Sequence, residues 1–250
     1  MRRASPTQRR RDPASGFASI AFGRIVLDLR PELVEHAPAI AARLLAWRNH
    51  GEPGLGNRRS GFRVSISGGP DLFARCARHG GLLGSLLGGV FFGLKARPTH
   101  ELEVAGEAYR RGVAIAEPMG AMAEWLVPGV YRGFFLTRPL DGMSLWEFVR
   151  TDDDPMVRDY VLERTRAAIE TMHQRGLWHA DLNLHNLFVT HRGDEFAVVI
   201  LDLDKARLFD HPVPAPLKKR SHTRLLRSIR KLDREGRYFD RGALEILRGA

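Results

Sequence analysis

The sequence predicts an α+β fold of two lobes, a small β-rich N-lobe and a short, reduced helical C-lobe. Three observations carry this. Residues 155–175 form the best-patterned helix of the chain and lead straight into a polar loop and a β-hairpin. A glycine-rich turn followed by strand-like runs lies upstream, between 51 and 75. Beyond the hairpin only one helix is readable, and it is basic. The expected divisions are a disordered basic tail over 1–16, an N-lobe over 17–140 and a C-lobe over 141–250.

The totals set the class. At 250 residues and 44% apolar content, the chain is globular and long enough for a sizeable core. No run of 18 or more apolar residues occurs, so no membrane-spanning segment is expected. The N-terminus, MRRASPTQRRRDPASG, has no apolar run behind it, unlike a secretory signal. One cysteine, Cys76, excludes an intramolecular disulfide framework and fits a reducing compartment. The net charge of +10 points to polyanionic company, such as an anionic membrane surface or a phosphorylated substrate. No nucleic-acid-binding motif accompanies that charge.

Taken in order, residues 1–16 are rich in Arg, Ser, Pro and Gln and predict no regular structure. Phe22–Leu29 alternates like a strand, and Pro31–Trp47 carries a helical apolar stripe. Gly51–Gly61 is a glycine-rich turn, with Gly56 inside it. Phe62–Ile66 and Leu72–Arg75 follow as strands about a Gly68-Gly69-Pro70 turn. Glycine lets backbone N–H groups approach an anion closely, so this is how a loop covers nucleotide phosphates. Residues 80–93 are apolar and glycine-laden but too short to span a bilayer.

Thr99–Arg111 reads as a helix with Thr99 as a candidate cap. Arg75 is a candidate phosphate-holding cation, and Glu101 its candidate helix partner, with Glu103 and Glu107 as alternatives. Gly112–Pro118 and Val130–Thr137 read as strands. A hinge-like turn follows, where the backbone near Arg138 to Leu140 is a candidate contact for a nucleotide base. Ser144 caps a short helix, Leu145–Arg150. Asp152-Asp153-Asp154 reads as a helix cap rather than a metal site. Pro155 suits a first helical position and Gly176 a helix end.

Residues 176–205 carry the chemistry. Two apolar runs, Leu187–Val189 and Ala197–Leu201, flank a polar turn and predict a hairpin. A hairpin brings its outer ends together, so Asp181 and Asn186 before it should converge with Asp202 after it. Two carboxylates and an amide oxygen are hard ligands, suited to Mg²⁺ shared with substrate phosphates. The spacing His-x-Asp-x-x-x-x-Asn matches a kinase catalytic loop, with Asp-Leu-Asp in place of Asp-Phe-Gly. Asp181 is then the candidate base, and Asn186 and Asp202 are candidate metal ligands. The fold expectation becomes protein-kinase-like, with ATP and Mg²⁺ as the expected cofactors. No Ala-Pro-Glu-like anchor can be read beyond Asp202. That favours a non-protein acceptor. The basic helix over 218–234 has Leu225, Leu226, Ile229 and Leu232 on its apolar stripe and Arg224, Arg227, Arg230 and Lys231 opposite.

With these pieces assembled, the chain resembles the Kdo/WaaP lipopolysaccharide kinases, most closely the 3-deoxy-D-manno-octulosonic acid (Kdo) kinases. The resemblance rests on RCARHGGLLGSLL (75–87), ELEVAGEAYRRGVAIAEPMGA (101–121), GLWHADLNLHNLFV (176–189), VVILDLDKA (198–206) and RLLRSIRKL (224–232). It implies ATP-dependent phosphorylation of an inner-core sugar hydroxyl, Asp181 as base, and Asn186 and Asp202 on the metal. It implies an anionic glycolipid substrate of the Kdo-lipid A type, met peripherally at the cytoplasmic face of the inner membrane. Asn183 stands where protein kinases carry a Lys. The alternatives are a heptose kinase, another small-molecule or protein kinase of this fold, and an inactive kinase-like membrane-binding module.

Overall fold

A computed structural model describes residues 7–12, 16–50, 61–76, 89–192 and 195–248. Two units emerge: residues 1–106 with 117–139, and residues 107–116 with 140–250.

The first unit is built on an eight-stranded antiparallel sheet. Its strands are β1 (Thr7–Asp12), β2 (Phe17–Phe22), β3 (Ile25–Leu29), β4 (Phe62–Val64), β5 (Leu72–Cys76), β6 (Phe91–Phe92), β7 (Pro118–Val127) and β8 (Val130–Thr137). They lie in the order β1-β2-β3-β7-β8-β5-β4, with β6 also paired to β8. A short 3-10 turn (Pro31–His36) leads into α1 (Ala37–His50), and α2 (Arg97–Arg110) begins in this unit. The apolar core is continuous. Leu27, Leu29, Leu33, Ile40, Leu44, Leu72, Met119, Met122, Phe134 and Leu136 are all fully buried in it. Each such side chain contributes about 1.5–3 kcal/mol of burial. Trp47 stacks on Phe62 at 4.3 Å and meets the edge of Phe134, which closes one side of that core.

Several expectations are corrected here. Thr7–Asp12 forms an edge strand, pairing Thr7 with Ala21 and Gln8 with Ile20, where a disordered tail was expected. Edge pairing is carried by backbone N–H and C=O groups and needs no apolar side chains on the added strand. The alternation over 22–29 belongs to a hairpin, β2–β3, that turns at Gly23 and Arg24, with Gly23 at φ 59°. The strand expected over 112–118 is absent. Pro118 instead starts β7, a central strand buried from Pro118 to Ala123. Because both faces are covered, that run shows no alternation and its periodicity is silent.

Thr99 does not cap α2. It lies inside the helix, and its hydroxyl donates to the Asp28 carboxylate at 3.1 Å. Close approach of α2 to the sheet depends on Gly133, where an added Cβ would come within 2.8 Å of Pro98 Cγ and 2.5 Å of the Met122 carbonyl oxygen.

The second unit holds β9 (Gly142–Ser144), α3 (Leu145–Thr151), α4 (Pro155–Gln174), β10 (Leu177–Trp178), β11 (Leu187–Arg192), β12 (Glu195–Ile200), β13 (Arg207–Leu208), α5 (Ala215–Leu232) and α6 (Arg241–Arg248). Ser144 caps α3 in a reciprocal box with Glu147. Those bonds from the Ser144 backbone and hydroxyl hold the Glu147 carboxyl below its ordinary range. Asp154 caps α4 by accepting the Met156 N–H at 2.8 Å, the role expected of the acidic cluster. Gly176 ends α4 at φ 82°.

Sheet β12-β11-β9 carries the hairpin, with Leu187 opposite Ile200 and Val189 opposite Val198. Strand β12 is also tied back to the loop after α2, where the Ile200 N–H donates to the Ala114 carbonyl at 2.8 Å. A second helix follows the basic one: α6 buries Ala243 and Leu247. The turn before it is built on buried Asp233, whose carboxylate accepts the N–H groups of Arg237, Tyr238 and Phe239. Eight residues were too short a run to read.

Candidate active site

The loop from His179 to Asn186 is organised around one buried ring. His179 is 1% exposed. The Asp181 N–H donates to its Nδ1 at 3.1 Å. Nε2 must then carry the proton, which it donates to the Leu201 carbonyl at 3.0 Å. Burial pushes the imidazole below its usual pKa, against the opposing pull of the Leu201 carbonyl, Asp202 and Asp181. A neutral ring with both nitrogens engaged is a strut rather than a ligand or base.

The rest of the loop is held by its own amides. The Asp181 carbonyl accepts from Asn183 Nδ2 at 2.8 Å and from Asn186 Nδ2 at 2.9 Å. Asn183 Oδ1 accepts the His185 N–H at 2.9 Å, an Asx turn. The Leu201 N–H donates to the Asn186 carbonyl at 2.8 Å. Asp181, Asn186 and the strand end before Asp202 are therefore laced into one framework, as the hairpin geometry predicted.

Asp202 itself sits at φ 62°, the one positive-φ residue other than glycine among the described residues. Aspartate tolerates this region better than most residues, and a side chain held there marks a turn that aims it out of the strand.

The donor set suits a hard cation. The Asn186 amide nitrogen is committed to Asp181, which leaves its oxygen as the atom able to ligate. Among the described residues no three His, Cys, Asp or Glu side chains gather as a protein-only metal cage. Mg²⁺ that shares its shell with nucleotide phosphates needs only one or two carboxylates, so Asn186 and Asp202 fit it.

In the first unit Arg75 and Glu101 form an ion pair, the pairing expected from the sequence. The Glu101 side chain is 5% exposed, so the pair is built into α2 rather than solvated. Arg75 also lies 5.9 Å from the Phe135 ring. The alternatives are occupied elsewhere: Glu103 pairs with Lys95, and Glu107 with Arg110 and Arg111.

At the hinge, the Arg138 N–H donates to the Glu117 carbonyl at 2.9 Å, and its guanidinium pairs with the Glu117 carboxylate. Arg30 pairs with the same carboxylate. The Arg138 N–H is thus committed, and a base contact there falls to the backbone from the Arg138 carbonyl to Leu140. Gly56 and most of the 51–61 and 80–93 stretches lie outside the described residues. Of the latter, Phe91–Phe92 is β6.

One site residue escaped the sequence reading. Arg224, one of the basic residues opposite the apolar stripe of α5, puts Nε and Nη2 both 2.6 Å from Asp181 Oδ1. The signal available was spacing: Leu217, Ser221, Arg224 and Ser228 recur at helical intervals on one face of α5. Trp178 Nε1 donates to the Leu217 carbonyl, the Ser221 hydroxyl to the His179 carbonyl, and the Leu184 N–H to the Ser228 hydroxyl.

The profile described as "Lipopolysaccharide kinase (Kdo/WaaP) family" matches residues 82–240. A 3-deoxy-D-manno-octulosonic acid kinase of Xylella fastidiosa (strain M23) is 31% identical over 194 residues, 74% of this chain and 72% of that protein. One of the same name from Pasteurella multocida (strain Pm70) is 26% identical over 136 residues, 54% of this chain and 55% of its own. Among solved structures, WaaP in complex with acyl carrier protein superposes with a TM-score of 0.54 at 19% identity. That match covers 89% of this chain and 92% of the other, and shows the protein-kinase-like fold.

Proposed function

The chain belongs to the lipopolysaccharide kinase (Kdo/WaaP) family, and from that premise we propose that it transfers the γ-phosphoryl group of ATP to a hydroxyl of an inner-core lipopolysaccharide sugar, Kdo before heptose. Family membership makes it a phosphotransferase with an alcohol acceptor. The finer assignment is supported by one observation above the rest. Asn186 is hydrogen-bonded to Asp181 and, through its carbonyl, to Leu201 beside Asp202, so the proposed base and the two proposed metal donors share one hydrogen-bonded frame.

In this proposal Asp181 accepts the proton of the attacking hydroxyl. Asn186 and Asp202 hold Mg²⁺, which supplies charge neutralisation at the phosphates when bound. Arg75, oriented by Glu101, holds the nucleotide phosphates. Gly56 in the loop over 51–61 covers them, and the backbone from Arg138 to Leu140 meets the base. The lobes are proposed to run over 17–140 and 141–250.

The acceptor class fits the charge. Among the described residues no helix is long and apolar enough to cross a membrane. A chain of net charge +10 with exposed Lys219, Arg220, Arg230 and Lys231 on α5 suits a glycolipid bearing phosphates and carboxylates. It also suits peripheral work at an anionic leaflet, at roughly 1 kcal/mol per cation near the surface.

The test is phosphoryl transfer from ATP to a Kdo-capped lipid A precursor in detergent, with wild type beside Asp181→Ala. Transfer that the substitution abolishes supports the assignment. ATP binding without transfer to this acceptor moves the acceptor to heptose or beyond the core, and no ATP binding overturns the kinase proposal.

A further inference from the structure

We propose that Arg224 is the positioning residue of the transfer step, supplying beside Asp181 the positive charge that the catalytic loop itself lacks. This rests on the kinase function proposed above.

The loop from His179 to Asn186 contains no Lys or Arg. Asn183, two residues past the base, is neutral, and both ends of its amide are spent on the loop's own backbone, at Asp181 and His185. The cation at the base arrives from a distant element instead. Arg224 stands 43 residues along the chain and grips a single oxygen of Asp181 with two nitrogens.

Packing does not explain that grip. Helix α5 is already seated by buried Ser221, Leu225 and Ile229, by Ser228, and by the Trp178 contact to Leu217. The Arg224 and Asp181 side chains are 49% and 38% exposed, and pairs that open to water add little to stability. Two charge-assisted bonds to one oxygen do fix direction, however. They hold Oδ1 and leave Oδ2 as the oxygen for the acceptor proton.

The chemistry then balances. The acceptor O–H bond breaks, and its proton goes to Asp181 Oδ2. The acceptor oxygen forms a bond to the γ-phosphorus, while the bond from that phosphorus to ADP breaks and its electron pair leaves on ADP. Negative charge gathers on the phosphoryl oxygens in a site that already holds the carboxylates of Asp181 and Asp202. A cation fixed at the base offsets that charge, as arginine does in other phosphoryl transfers.

The experiment compares wild type, Arg224→Ala, Arg224→Lys and the double variant Arg224→Ala with Asn183→Lys in the Kdo-lipid A transfer assay, alongside ATP binding and thermal melting. Arg224→Ala should lower kcat about 100-fold with KM for ATP changed less than about 3-fold and melting nearly unmoved. Arg224→Lys and the double variant should each recover about 10-fold of the loss, since either returns a cation to the base. An Arg224→Ala enzyme within about 3-fold of wild type, or a loss that neither lysine recovers, overturns the role of Arg224 and leaves the kinase function standing. A wild type that binds ATP but transfers nothing to this acceptor overturns the substrate assignment alone; the same four proteins are then compared by ATP hydrolysis without acceptor, where the absence of the same loss and recovery overturns the role of Arg224.

Discussion

The imidazole of His179 spans from the Leu201 carbonyl, 3.0 Å from Nε2, to the Asp181 N–H, 3.1 Å from Nδ1. One buried ring thereby sets the spacing between the proposed base and the strand end that carries Asp202. His179→Ala should leave an unpaired carbonyl and a cavity, destabilising the fold by roughly 2–4 kcal/mol. It should also lower transfer more than ATP affinity, because the proposed base and the proposed metal donors lose their common spacer. Urea unfolding read beside steady-state kinetics checks both.

Asp202 invites a conservative substitution. Asparagine tolerates the φ of 62° nearly as well as aspartate, so Asp202→Asn should keep its melting temperature. It removes a carboxylate from the proposed metal set, and Mg²⁺-dependent nucleotide binding should weaken at least about 100-fold. Titration of ATP with and without Mg²⁺ measures this; unchanged Mg²⁺ dependence would remove Asp202 from the metal site.

Arg75 and Glu101 make a different prediction, because the carboxylate is buried and the guanidinium is its partner. Arg75→Ala should destabilise the protein by about 1–3 kcal/mol and raise KM for ATP. Arg75→Lys keeps the charge without the planar fork and should fall between. Unaltered ATP affinity in Arg75→Ala would make the pair purely structural.

The pH dependence of stability should show His173. It is 2% exposed on α4, its Nε2 has no hydrogen-bond partner, and its ring lies 5.9 Å from that of His222. Burial, then His222 and Lys218, push its pKa down from 6.5 to about 4. Its folded value is below its unfolded value, so the unfolded chain binds the proton first. Stability should be full above pH 6.5 and fall as pH drops from there towards about 4. His173→Gln should flatten that slope, read as urea midpoints at pH 7.5 and 5. An unchanged slope would assign it to other groups.

The α5 cations predict a salt-sensitive surface. Replacing Lys219, Arg230 and Lys231 by Glu, while leaving Arg224 in place, should weaken sedimentation with anionic vesicles by 10-fold or more, at roughly 1 kcal/mol per cation. Activity on a short, detergent-free acceptor should persist.

The chain itself determined what short-range chemistry can specify. The convergence of Asp181 and Asn186 with the strand end at Leu201 was legible because a hairpin needs only neighbouring residues to bring its ends together. Ser144, Asp154, Pro155 and Gly176 were legible because caps act within one helical turn. The Arg75–Glu101 pair could be named because a cation on a strand and an acid early in a helix have few other partners in a kinase-like order. Tertiary structure decided the rest. β7 was silent because burial on both faces erases alternation, β1 because backbone pairing leaves no side-chain signature, and α6 because two turns are too few for a period. Arg224 had the same charge as its exposed neighbours Arg220 and Arg227, and the helix face it shares with Leu217, Ser221 and Ser228 did not say which element that face would meet. Only the docking of α5 on the catalytic loop, through Ser221 and Ser228, turned that one arginine onto Asp181. A contact between residues 43 apart depends on how two elements pack, and no local pattern encodes that distance.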